Sequence, residues 1–267
     1  MLMAIKALLF DLDDTLMVDE SVSHETFAHV AAVASSRFGV DPARFASDAM
    51  STARELWAAG ECRPFCRSIG ISAFECLWGG FTGESAELTA LRNWATAYRV
   101  GVFARVLELQ GKEVPADAAS FLSSEFASTR RARQRLMPGA RELMTELAST
   151  YRLALLTNGA PDLQREKIAA SGLESFFNAI AVSGEHGIGK PKPEIFQRLL
   201  GELGVASSEA LMVGNSLERD IAGARNAGIR SVWIRVPGSE EQAEVTPDNT
   251  ITALSEIPGI LNDLAAN

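Results

Sequence analysis

The chain has 267 residues, room for one or two domains and for a sizeable core. Hydrophobic residues make up 47% and charged residues 22%, which excludes wholesale disorder. A net charge of −9 argues against broad nucleic-acid binding, which needs a basic face to displace counterions, but leaves room for a local basic pocket.

The segment from Met1 to Phe10 runs straight into Asp11. It is too short for a secretory signal and has no small-residue cleavage site. No run reaches the roughly 18 apolar residues of a membrane span. Cys62, Cys66 and Cys76 cannot all pair with one another, and their spacing fits neither a zinc nor a redox motif. The expectation is a cytoplasmic protein with reduced thiols and no membrane partner.

Residues 5–10 form a short apolar run that reads as a buried strand ending at Asp11. From about 20 to 135 the chain is Ala-rich with helical spacing, as at Phe27, Val30, Ala31, Ala34 and Phe38. Glycines punctuate it, and Asp41-Pro42 reads as an N-cap followed by proline in the first turn. About five helices are predicted there, with no convincing strand. After Pro138-Gly139 the pattern alternates. Helices are predicted over 139–148, 162–171, 193–203, from Ser216 to Gly228, and over 257–265. Strands are predicted over 151–156, 178–182, 210–213 and 231–235. Residues 237–249 read as an exposed acidic loop. Alternating strands and helices predict a parallel sheet covered on both faces, with ligands beyond the carboxyl ends of the strands.

The polar groups fall at those ends. Strand one leads into Asp11-Leu-Asp-Asp-Thr15, strand two into Thr157-Asn158, the third towards Lys190, and the fourth into Asn215 and Asp220. Asp11 and Asp13 are two residues apart. If the chain bends after the strand, one carboxylate can attack while the other exchanges a proton. Two nearby carboxylates repel, and Mg²⁺, which takes hard oxygen ligands, would relieve them. Thr157 and Asn158 offer hydroxyl, amide and backbone donors to an anion, and Lys190 offers a point charge.

Asp11-Leu-Asp-Asp-Thr15, Leu156-Thr-Asn-Gly159, Gly189-Lys-Pro-Lys-Pro-Glu-Ile-Phe196 and Val213-Gly-Asn-Ser-Leu-Glu-Arg-Asp220 resemble, in order, the four motifs of the haloacid dehalogenase-like hydrolase superfamily. The resemblance implies a Rossmann-like α/β core at 1–17 and 136–267 and an inserted helical C1 cap at 18–135. Within the superfamily the chain is similar to the sialic-acid-9-phosphatase and nucleotidase-like branch. The implied activity is hydrolysis of a phosphomonoester of a small soluble metabolite. Asp11 would be the nucleophile and form an aspartyl-phosphate, and Asp13 the acid and base. Thr157, Asn158 and Lys190 would hold the phosphate. Asp11, Asp13, Asn215 and Asp220 would form the Mg²⁺ site. A monomer or homodimer would suffice.

The sequence departs from the family pattern at Asn215, where the first acid of the fourth motif is usual; one anionic ligand is lost unless Asp220 replaces it. Lys192, in the third motif, also stands where a small polar residue is common, and reads as a solvated lysine. Family dehalogenases lack an acid two residues after the nucleophile and need no metal, so Asp13 favours a phosphatase over a metal-free 2-haloacid dehalogenase. The remaining alternative is a catalytically weakened binder of phosphorylated ligands. In the cap, His24, Arg63, Arg67, Trp57 and Trp78 are substrate-contact candidates, each more simply a solvated charge or a core aromatic. Arg130, Arg131, Arg133 and Arg135 read as a solvated helix face or hinge. His29 and His186 have no evident partner. Cap–core linkers are expected at 17–20 and 136–138.

Overall fold

The structure is a computed structural model that describes residues 4–236 and 245–266. It divides into two compact units. One holds the chain up to Val18, Arg135–Asn158 and the chain from Gln164 onward; the other holds Asp19–Gln134 and Gly159–Leu163.

The first unit carries six parallel strands: β1 (Ala7–Phe10), β2 (Arg152–Thr157), β3 (Ala179–Val182), β4 (Ala210–Gly214), β5 (Arg230–Ile234) and β6 (Asn249–Ile251). Their spatial order, 3-2-1-4-5-6, reverses direction between β1 and β4, the position where open α/β sheets bind ligands. β1 is central and wholly buried, which explains its uninterrupted apolar run.

Alternate strand residues face opposite sides. Leu8, Phe10, Leu153, Leu155, Leu211 and Val213 share a core with Ala140, Leu143, Met144, Leu147, Ile257 and Leu261. Ala7, Leu9, Ala154, Leu156 and Met212 share the opposite core with Ile195, Phe196, Leu199 and Leu203. The sheet therefore has helices on both faces, as the alternation predicts.

The second unit is helical: α1 (Glu20–Phe38), α2 (Pro42–Ala59), α3 (Arg63–Ile69), α4 (Ala86–Leu109) and α5 (Ala118–Ala132). Asp41 caps α2 through an Arg44 N–H bond of 3.0 Å, with Pro42 behind it. In the sheet-bearing unit, α6 (Ala140–Leu147), α7 (Pro161–Ser171, whose first turn belongs to the helical unit), the single turn α8 (Ser183–His186), α9 (Pro193–Leu203), α10 (Ala222–Asn226) and α11 (Ile257–Ala266) complete the chain.

The structure differs from the sequence reading in several places. Of the expected loop over 237–249, residues 237–244 lie outside the described residues, and Asn249 opens β6, a strand too short to show a period. The helix expected from Ser216 begins as a wider π turn over Leu217–Ile221. Arg130 is not solvated. It is 2% exposed, paired with Asp19 and stacked on Trp78 at 4.8 Å. His29 lies 3.0 Å from Glu125, and the three cysteines are buried without a disulfide. The linkers pair with each other: Val18 N–H bonds Arg135 O at 3.0 Å and Met137 N–H bonds Leu16 O at 2.9 Å.

Candidate active site

β1 delivers Asp11 to the reversal point, and its N–H continues the ladder to Val213 O at 3.0 Å. The chain then turns sharply. Asp14 takes a left-handed conformation with φ of 53°, and the N–H groups of Leu16 and Met17 both bond Leu12 O. An aspartate tolerates that region better than most side chains. The bend sends Asp11 and Asp13 to different partners.

Asp11 meets Lys190, whose Nζ is 2.6 Å from Asp11 Oδ1 and 2.7 Å from Asp220 Oδ1. All three residues are buried. The other oxygen of Asp220 accepts the Ser216 N–H at 2.9 Å. Two carboxylates thus share one ammonium. Burial first, and then the charge of Asp220, push the Asp11 pKa up to about 6, against the pull of Lys190. Burial works against the Lys190 ammonium, but Asp11 and Asp220 together outweigh it and hold its pKa above the ordinary value. Gly214 makes this packing possible: a Cβ there would stand 2.4 Å from Asp220 Cγ.

Asn158 positions Lys190 by its backbone. Its Nδ2 donates to Lys190 O at 2.9 Å, and its Oδ1 accepts the Lys190 N–H at 2.9 Å. The side-chain amide, expected to face an anion, is therefore engaged in holding the loop that carries the lysine. Gly189 accommodates the close approach, since a Cβ there would lie 2.5 Å from Asn158 Oδ1.

Asp13 is held separately. Lys167 Nζ lies 2.9 Å from Asp13 Oδ1 and 3.0 Å from Oδ2, and Gln164 Nε2 donates to Oδ2 at 3.2 Å. Gln164 Oε1 accepts the Thr157 hydroxyl at 3.3 Å. Lys167 and Gln164 were not singled out in the sequence. Their mixed-charge surroundings, Gln164-Arg-Glu-Lys167, read as a solvated helix, yet both are buried. Their i, i+3 spacing behind the second motif, which puts both on one helix face, is the available signal.

Asn215 follows β4. Its backbone carbonyl accepts the Trp233 indole N–H at 2.9 Å. Among the described residues no three Asp, Glu, His or Cys side chains form a ready cage for a metal ion. The charge balance still suits a divalent cation. Two buried carboxylates face one ammonium, an arrangement with one negative charge in excess. The donors that the first and fourth motifs supply, carboxylate, amide and backbone carbonyl, are all hard oxygens.

This architecture matches known proteins. The haloacid dehalogenase-like hydrolase family matches residues 5–228, and the chain belongs to that family. Over 253 residues it is 39% identical to a phosphoserine phosphatase of Thermus thermophilus, covering 94% of this chain and 97% of that one. It is 29% identical to the human N-acylneuraminate-9-phosphatase, covering 97% and 95%. A magnesium-bound structure of the HAD-hydrolase YfnB from Bacillus subtilis superposes with a TM-score of 0.66 at 23% identity, covering 97% and 100%, a likeness of fold. Family and near-full-length relatives together make this enzyme a phosphatase-type member of the family.

Proposed function

We propose that the enzyme hydrolyses phosphomonoesters of small soluble metabolites through a phosphorylated Asp11, with Mg²⁺ as cofactor. The observation that carries this reading is the division of labour between two carboxylates at the end of β1. Asp11 is paired with Lys190 and Asp13 with Lys167, so one is free to attack while the other handles protons. A dehalogenase needs no second acid at that place.

In the first step Asp11 attacks phosphorus, the P–O ester bond breaks, and Asp13 gives its proton to the departing oxygen. In the second, Asp13 takes a proton from water as the water oxygen attacks phosphorus, the Asp11–phosphorus link breaks, and inorganic phosphate leaves. With a pKa of about 6, Asp11 is ionised and nucleophilic at neutral pH. Lys190, the backbone N–H groups beyond β1 and β2, and the Thr157 hydroxyl once it turns from Gln164 Oε1 would hold the phosphoryl oxygens. Lys190 also orients Asp11, and Asn158 fixes Lys190.

Asp11, the Asp13 carbonyl and the Asn215 side chain would hold Mg²⁺. Asp220, whose Oδ1 is ion-paired with Lys190 and whose Oδ2 accepts the Ser216 N–H, would support the site by its charge. When bound, the ion would neutralise charge on the phosphoryl group. The helical unit, inserted between the first and second motifs, takes the cap's role of selecting the ester. Phosphoserine and N-acylneuraminate 9-phosphate, the esters named for two relatives, are both phosphates of primary alcohols. That chemistry is the substrate class proposed, and a cytoplasmic monomer or homodimer is the expected form.

The test is phosphate release from a panel of primary, secondary and aryl phosphomonoesters, with and without Mg²⁺, beside Asp11→Asn. Release that needs both Mg²⁺ and Asp11 and favours primary esters supports the reading. Halide release from 2-haloacids in chelator, with no phosphate release, overturns it. Ligand binding without turnover at high Mg²⁺ selects the weakened binder instead.

A further inference from the structure

We propose that Lys167 and Gln164 form a positioning pair that aims the Asp13 carboxyl at the leaving-group oxygen and couples it to the phosphate-holding Thr157. The proposal rests on the phosphatase reading above.

Lys167 is 1% exposed and Gln164 fully buried, whereas the Asp13 side chain is 24% exposed. The exposed partner is the reactive one, and its support comes from inside the fold. A buried ammonium is expensive unless paired, and Asp13 supplies that pairing for Lys167. The stripe that α7 buries reads Leu163, Gln164, Lys167, Ile168, Ser171; its two long polar members are the ones that reach Asp13.

Lys167 touches both carboxylate oxygens and so fixes the plane of the group. Gln164 fixes its rotation from one side. With Asp13 ionised, the Gln164 amide oxygen accepts the Thr157 O–H and its nitrogen donates to Asp13. Thr157, Gln164, Asp13 and Lys167 therefore form one chain from the end of β2 to the end of β1. Lys190 pairs with Asp11 and Asp220, and Lys167 with Asp13. Proton transfer requires the acid within hydrogen-bond reach of its target and contributes roughly 10²–10⁴-fold, and a small loss of aim forfeits much of it.

The experiment uses the full chain with Mg²⁺ and compares Lys167→Met, Lys167→Arg and Gln164→Met with wild type. The readout is kcat/KM for two esters, p-nitrophenyl phosphate and the best alkyl phosphate of the panel. This parameter reports the steps through phosphorylation of Asp11. Nitrophenolate departs without a proton, whereas an alkoxide needs one. The expected result for Lys167→Met is a loss of roughly 100-fold on the alkyl ester and under about fivefold on the aryl ester. Lys167→Arg should recover most of the loss, and Gln164→Met should show the same pattern more weakly. Melting curves check folding, and if Lys167→Met does not fold, Gln164→Met and Lys167→Arg carry the comparison. Equal losses on both esters in a folded variant, or no loss on either, overturn the proposal. A wild type inactive on both esters overturns the phosphatase reading and this one with it.

Discussion

Asp11→Asn should stabilise the metal-free protein at neutral pH. Asp11 is buried beside Asp220, and its pKa stands at about 6 against an ordinary 3.8. The folded state therefore keeps the Asp11 proton to higher pH than the unfolded chain does. Between about pH 4 and pH 6 the folded form binds more protons, so stability falls as pH rises through that window, and the full cost persists above it. About two pKa units correspond to ~3 kcal/mol. Asparagine is nearly isosteric and cannot ionise, so it avoids this cost. The influence of Lys190 is already contained in the Asp11 value. The variant should match wild type below about pH 4 and exceed it by ~3 kcal/mol at pH 7.5. For a chain of this size that is roughly 6–12 °C in Tm. Calorimetric melting across pH 4–8 in chelator measures it. A variant no more stable than wild type at pH 7.5, or a gain that does not shrink on acidification, refutes the charge account of this cluster.

Three further outcomes are expected. Asn215→Asp should lower the Mg²⁺ concentration for half-maximal phosphate release on the order of tenfold, by adding a charge near the ion; an unchanged or weaker Mg²⁺ dependence would remove Asn215 from the metal site. Gly214→Ala places a methyl 2.4 Å from Asp220 Cγ and should cost about 1–3 kcal/mol in urea unfolding, with turnover reduced as Lys190 loses its second carboxylate; wild-type stability and turnover would show that Asp220 moves aside freely. Arg130→Met in the helical unit breaks a pair in which the arginine is buried, and should cost roughly 3 kcal/mol; a change under about 0.5 kcal/mol would return Arg130 to the solvated role read from the sequence.

The sequence by itself determined five of the six strands, all but β6, and the polar residues that follow them. A buried strand writes an apolar run, and a polar group that interrupts it at the carboxyl end stands out. Asp11 and Thr157 are legible for that reason, and Lys190 and Asp220, eight and six residues past β3 and β4, through the motifs they stand in. Local capping was legible as well, as at Asp41-Pro42, because it involves neighbours in sequence. Tertiary structure decided which charge meets which. Lys190 bridges Asp11 and Asp220, Asn158 spends its amide on the lysine's own backbone, and Arg130 is buried against Trp78 and Asp19. Lys167 is the clearest case. In the sequence it is one more charge on a polar helix, and only the packing of α7 buries it against Asp13. A charged side chain carries no mark of its partner. Pairing is set by distances between segments far apart in the chain, and those exist only once the sheet has brought the strand ends together.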